Sequence, residues 1–115
     1  MKYALLIYGD EGEYPAPDSA EGAAEMEAYY AFTQAIDSEG INRGGEALRS
    51  VTAATTVRVR NDEVLATDGP FAETKEQLGG FYIVECDDLD QALAAAARIP
   101  GARSGSVEVR PVIEF

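Results

Sequence analysis

Apolar and polar positions divide the chain into short, well-separated runs. Tyr3 to Tyr8 are apolar and aromatic and end at Gly9-Asp10, which predicts a buried strand closed by a turn. Glu11 to Asp18 sets Gly12, Pro15 and Pro17 among acidic residues, a composition that favours an extended, solvated loop able to close over a pocket. Asp18 followed by Glu21 resembles a capping box, and Met26, Tyr29, Phe32, Thr33 and Ile36 then recur at helical spacing, so a long amphipathic helix is predicted up to Gly40. Tyr29 and Tyr30 are adjacent on that helix and cannot share a direction; Tyr29 is expected in the core and Tyr30 at the rim.

Ile41 to Leu48 reads as a weak strand with a bulge at Gly44-Gly45. Thr55 to Arg60 alternates, turns at Asn61-Asp62-Glu63 and returns through Val64-Leu65-Ala66-Thr67, the pattern of a β-hairpin. Phe81 to Cys86 forms a second buried strand. Asp87-Asp88 then caps a helix with the stripe Leu89, Ala92, Leu93, Ala96 and Ala97, stopped by Pro100-Gly101. These carboxylates, with Asp90, suit the helix dipole better than a cation site. Ser106 to Phe115 alternates, with Val107, Val109, Pro111 and Ile113 on one side, and Pro111 argues for an edge position because it cannot donate to a ladder.

The order strand, helix, strand, hairpin, strand, helix, strand predicts an α+β fold: a ferredoxin-like antiparallel sheet with two helices on one face and an inserted hairpin. Two helices cover only one face, while Leu5, Ile7, Ile83 and the final strand suggest apolar load on both. A second copy packing sheet to sheet would supply the missing cover, so a homodimer with a shared cavity is expected.

Composition narrows the function. A chain of 115 residues with 46% hydrophobic residues suffices for one core, and residues 1–115 are read as a single domain. Its net charge of −12 disfavours nucleic acid and anionic membrane surfaces, and no apolar run reaches the about 18–20 residues of a membrane span. Cys86 is the only cysteine and lies in an apolar run, where a small core residue is expected rather than a nucleophile; with no signal-peptide pattern, a cytoplasmic location is expected.

The run Asp68-Gly69-Pro70-Phe71-Ala72-Glu73-Thr74-Lys75-Glu76-Gln77-Leu78-Gly79-Gly80-Phe81 resembles the signature of the Asp-Gly-Pro-Phe branch of the YCII-related family. The likeness extends through Gly44 to Leu48, Ala54 to Arg58 and Gly105 to Pro111, and so spans nearly the whole chain. It implies a dimeric α/β-barrel of two ferredoxin-like protomers with pockets near their interface. The wider superfamily includes a dehydrochlorinase and muconolactone isomerases, and a His–Asp pair has been proposed as catalytic in one branch. This chain has no histidine. Relatives often carry Tyr or His where Ser104 stands here, and are commonly encoded beside extracytoplasmic-function sigma factors, which suggests a regulatory connection.

Without histidine, Ser-His-Asp and Cys-His nucleophiles and most zinc sites are excluded. No phosphate loop or dinucleotide fingerprint is present, and no cofactor is expected. The remaining acid–base candidates are Asp68, Glu73 and Glu76, with Asp68 and Glu73 favoured, Lys75 and Arg49 to hold an anionic or carbonyl-bearing ligand, and Tyr8, Tyr82 and Phe71 to line its site. On this reading the protein is a small-molecule-binding domain, or a cofactor-independent lyase or isomerase with Asp68 as base. The plainer reading makes Asp68-Gly69-Pro70 a turn and Phe71 a core plug. The competing function is a regulatory interaction module that engages a partner such as a sigma factor; a third is a dimeric domain that has lost its ancestral activity.

Overall fold

A computed structural model describes all residues, 1–115. The elements run β1 (Lys2–Gly9), α1 (Ala20–Ser38), β2 (Asn42–Ala47), β3 (Thr55–Arg60), β4 (Glu63–Asp68), β5 (Gln77–Glu85), α2 (Leu89–Ala97) and β6 (Ser106–Pro111), with short 3-10 turns at 11–13, 51–53 and 100–102. The main sheet has the order β2-β5-β1-β6, with antiparallel pairing throughout. This is the ferredoxin-like arrangement predicted, and Pro111 does lie on an edge strand.

Local chemistry sets the element ends. Ser19, rather than Asp18, caps α1: its Oγ accepts from the Gly22 N–H at 3.0 Å. At the other end Gly40 takes φ +75°, and the Gly40 and Ile41 amides bond back to Asp37 and Ile36 at 3.0 and 3.1 Å, a Schellman closure. Asp88 caps α2 by accepting from the Gln91 N–H at 2.9 Å. The expected bulge in β2 is present, with Gly44 at φ +127° and the register against β5 shifting between Asn42 and Gly45. β5 starts earlier than predicted, at Gln77, because Gln77, Leu78 and Gly80 pair with β1 and Gly80 also with β2, Gly79 being the extra residue where the register against β1 shifts.

Strand alternation sends Tyr3, Leu5 and Ile7 of β1 and Val84 of β5 toward the helices, where they meet Phe32 and Ile36 of α1 and Ala92, Ala95 and Ala96 of α2. Ile99, Ile41 and the Cys86 thiol complete the core, and burial pushes the thiol's pKa up. Val107 and Val109 pack against it from β6. The α2 stripe is therefore displaced from the expected one: Leu89 and Leu93 are 48% and 46% exposed, and Ala95 takes the inward place. Small alanines let this helix approach the sheet closely.

No helix covers the opposite face. Ala4 and Leu6 of β1 lie there beside Ile83 and Phe81 of β5, all half-buried, while β6 contributes Glu108 and Arg110. The apolar load on this face thus comes from the two central strands and not from the final strand.

The β3–β4 hairpin forms a separate ribbon, turned by Asn61 and Asp62 at φ 52° and 63°, the geometry of a two-residue primed turn. Its extensive contacts are only between its own strands. Val57 and Val64 are 61% and 71% exposed, and Val59 and Leu65 are also bare. The projection shows in the dimensions: the radius of gyration is 16.0 Å over extents of 47 × 43 × 19 Å, against about 13 Å for a compact chain of similar length. No helix is long and apolar enough to cross a membrane.

Candidate functional site

The Asp68-Gly69-Pro70 segment ends the hairpin. Gly69 at φ +99° donates its amide to the Ala54 carbonyl at 2.7 Å and accepts from the Thr56 hydroxyl at 2.8 Å, tying the ribbon's base shut. Phe71 is not a core plug: it is 78% exposed. Asp68, Glu73, Lys75 and Arg49 are all exposed, and Arg58 reaches the Phe71 carbonyl only at 3.4 Å.

A different set of residues builds a cleft. It has a volume of about 830 Å³ and lies where α1 and the loop after β1 face the ends of β1, β2 and β5. Of the candidates read from the sequence, Tyr8 and Tyr82 line it; Asp68, Glu73, Lys75, Arg49 and Phe71 do not.

The helix contributes Gly22, Glu25, Met26, Tyr29 and Thr33, spaced three and four residues apart on one face of α1. The loop contributes Tyr14, Pro15 and Pro17 and is held by Glu11. That carboxylate accepts from the Ser50 hydroxyl at 2.7 Å and the Val51 N–H at 3.0 Å, while the Glu11 amide donates to Gln77 Oε1 at 3.1 Å. The acidic loop is therefore pinned at its start. The expectation of a solvated loop able to close over a pocket did not include this anchor.

Three phenols converge from separate elements. Tyr82 Oη lies 2.9 Å from Thr33 Oγ1, and Thr33 itself donates to the Tyr29 carbonyl at 3.0 Å, so the Tyr82 hydroxyl donates to Thr33. The Tyr82 ring meets Phe32 edge-on with centroids 5.0 Å apart. Tyr29 Oη accepts from the Gly101 N–H at 3.1 Å and donates to nothing in the chain. Tyr14 Oη has no hydrogen-bond partner at all.

Glycines make room for these hydroxyls. A Cβ on Gly9 would lie 2.5 Å from Tyr14 Oη, one on Gly79 3.2 Å from the same atom, and one on Gly101 2.6 Å from Tyr29 Oη. All three glycines line the cleft.

The electrostatics are one-sided. The charged lining residues are Glu11, Glu25 and Glu46, with no Lys or Arg among them. Burial, opposed by the Gly101 hydrogen bond and reinforced by the Glu25 charge, pushes the Tyr29 phenol up to about 12. Burial, then the charges of Glu11 and Glu25, also raise Tyr14. Both hydroxyls are thus kept protonated and able to donate. No three carboxylate or thiol side chains converge as a metal site.

Sequence reasoning missed Tyr14, Glu25 and Thr33 and gave Tyr29 to the core. A signal was present in the helix stripe, which carries Gly22, Glu25 and Thr33 where a purely structural face would be apolar. Ser104 also lines the cleft.

Two comparisons with known proteins agree with the resemblance drawn from the Asp-Gly-Pro-Phe run. The chain is 42% identical over 118 aligned residues to Uncharacterized protein R00369 of Rhizobium meliloti (strain 1021), covering 97% of this chain and 92% of that protein. The family model of the YCII-related domain matches residues 1–115. With the whole length matched and the predicted sheet order in place, the chain belongs to the YCII-related family.

Proposed function

We propose that this protein is a homodimeric small-molecule-binding domain whose site is the tyrosine-lined cleft. The observation that carries the reading is unused hydrogen-bonding capacity in the cleft: the hydroxyl of part-buried Tyr29 has an unassigned proton, and that of Tyr14, 45% exposed at the rim, has no partner, yet glycines admit both. A concave, mostly apolar space with a few convergent polar groups is the usual form of a ligand site. A lyase or isomerase built on it would use Glu25 as its acid–base group, in place of Asp68 or Glu73, because Glu11 is held by Ser50 and Val51, Glu46 is exposed, and Glu25 is the part-buried lining carboxylate left without a hydrogen-bond partner.

Dimerisation follows from what is left bare. An isolated two-stranded ribbon is marginal in water, and this one exposes Val57, Val59, Val64 and Leu65, while Ala4, Leu6, Phe81 and Ile83 lack a covering layer. A second copy provides both covers in one closed assembly. A regulatory partner could grip the same ribbon, and light scattering of the purified chain separates the two readings: a dimer mass at micromolar concentration supports self-association, and a monomer mass supports the regulatory module.

The binding reading is tested by titrating small aromatic and aliphatic fragments while following tyrosine ring signals by NMR. Ligands of the cleft shift Tyr14, Tyr29 and Tyr82 and leave Tyr30, which is exposed on another face of α1, in place. A ligand at about 100 times its dissociation constant also adds about 2.7 kcal/mol of stability. Shifts confined to surface tyrosines, or none, would refute it.

A further inference from the structure

We infer that the cleft selects organic amines, cationic at neutral pH, over neutral and anionic molecules of the same shape, with Glu25 as the counter-charge. This rests on the cleft being a ligand site, and it departs from the anionic ligand that Lys75 and Arg49 suggested in the sequence.

The argument starts from what the lining lacks. The chain has nine Lys and Arg residues, and none of them lines the cleft. A carboxylate or phosphate entering there would lose its hydration and meet only like charge, with no guanidinium or ammonium to compensate. The net charge of −12 extends that repulsion outward and attracts cations to the mouth.

The acidic groups differ in availability. Glu11 is occupied by Ser50 and Val51. Glu46 sits on the edge strand β2 and is exposed. Glu25 is part-buried on the cleft face of α1, makes no hydrogen bond or ion pair within the chain, and lies near enough to Tyr14 and Tyr29 for its charge to bear on both phenols.

Two of the phenols, Tyr14 and Tyr82, fit the same ligand. An ammonium has three donors and no acceptor, so it needs oxygen atoms around it. Tyr14 Oη is free to accept, and Tyr82 Oη, which donates to Thr33, keeps its lone pairs. The ring faces of these tyrosines add attraction for a cation. Ile7, Met26, Pro15 and Leu48 supply an apolar wall for the rest of the molecule.

The test uses three probes on one skeleton: phenethylamine, phenethyl alcohol and phenylacetate, titrated by NMR against the full chain. The amine is expected to bind about tenfold more tightly than the alcohol, and the acid more weakly than either. Glu25→Gln should bring the amine to the level of the alcohol and leave the alcohol unchanged. Glu63→Gln, which removes one charge at the tip of the hairpin, should leave the preference intact. Equal binding of amine and alcohol, tighter binding of the acid, or an equal loss in Glu63→Gln would overturn the amine assignment while the cleft stands as a site. Failure of all three probes to move Tyr14, Tyr29 or Tyr82 would overturn the site as well.

Discussion

Replacing Tyr29 with Phe removes one oxygen from a place where its loss has two separable effects. The Gly101 N–H donates to that oxygen at 3.1 Å, and a phenyl ring leaves the amide without its partner. The bond is part-buried, so water restores some of the loss, and the cost falls at about 1 kcal/mol, the lower end of the range for an unsatisfied donor. With an unfolding entropy of about 2.1 cal/mol/K per residue, 1 kcal/mol lowers the melting temperature of a 115-residue chain by roughly 4 °C. The second effect is on pH dependence. Folding raises the Tyr29 phenol from its ordinary value of 10.0 to about 12, so the fold favours the protonated form. That contribution is fully present below pH 10 and is lost as pH rises through 12. The Phe variant has no such group, and the stability curves of the two proteins should converge between those values. Thermal unfolding followed by circular dichroism gives both readings, and amide exchange at Gly101 reports the broken bond directly. An unchanged melting temperature with unchanged Gly101 protection, or parallel curves through the alkaline window, would refute the assigned role of the hydroxyl.

Gly22→Ala should lower the melting temperature although alanine favours a helix by about 1 kcal/mol, because its Cβ would sit 2.1 Å from the Ala16 carbonyl oxygen; calorimetry gives the sign. Leu5→Ala, at a site with no exposure, should cost about 2–5 kcal/mol in urea unfolding. Gly9→Ala should change stability little, since the atom it meets at 2.5 Å is the far end of the Tyr14 side chain, but it should displace that ring and alter the near-ultraviolet circular dichroism. The double change Val57→Glu and Val64→Glu puts charges on one face of the ribbon, where these exposed side chains contribute little to the monomer's fold; light scattering should show the dimer mass halved with far-ultraviolet circular dichroism retained.

The sheet and helices were legible because their signals are local. Alternation in β1 and β6, the bulge glycines of β2 and the Asp88 cap each determine a short stretch of backbone, and together they leave few ways to pair the strands. The α2 stripe was misjudged because leucine looks like a core residue, whereas the close approach of this helix favours the alanines and leaves Leu89 and Leu93 outside. The cleft was the harder part. Its three converging phenols come from positions 14, 29 and 82, and only the tertiary fold brings the loop, the helix and β5 together. The Asp-Gly-Pro-Phe run drew the search for chemistry because its residues are compact in sequence, yet what they do in the structure is close the base of a hairpin.

That hairpin departs from β2 and rejoins at β5, and these two strands are hydrogen-bonded neighbours, with Ala47 opposite Gly80. The excursion therefore begins and ends at nearly the same point, as a side branch does on a trunk. The sequence and outward contacts of the ribbon itself, residues 55–68, can drift among descendants of this architecture without shifting the elements that carry the phenols. The most recognisable letters of the chain would then record the history of whom the protein touches, while its chemistry is inherited through less conspicuous positions.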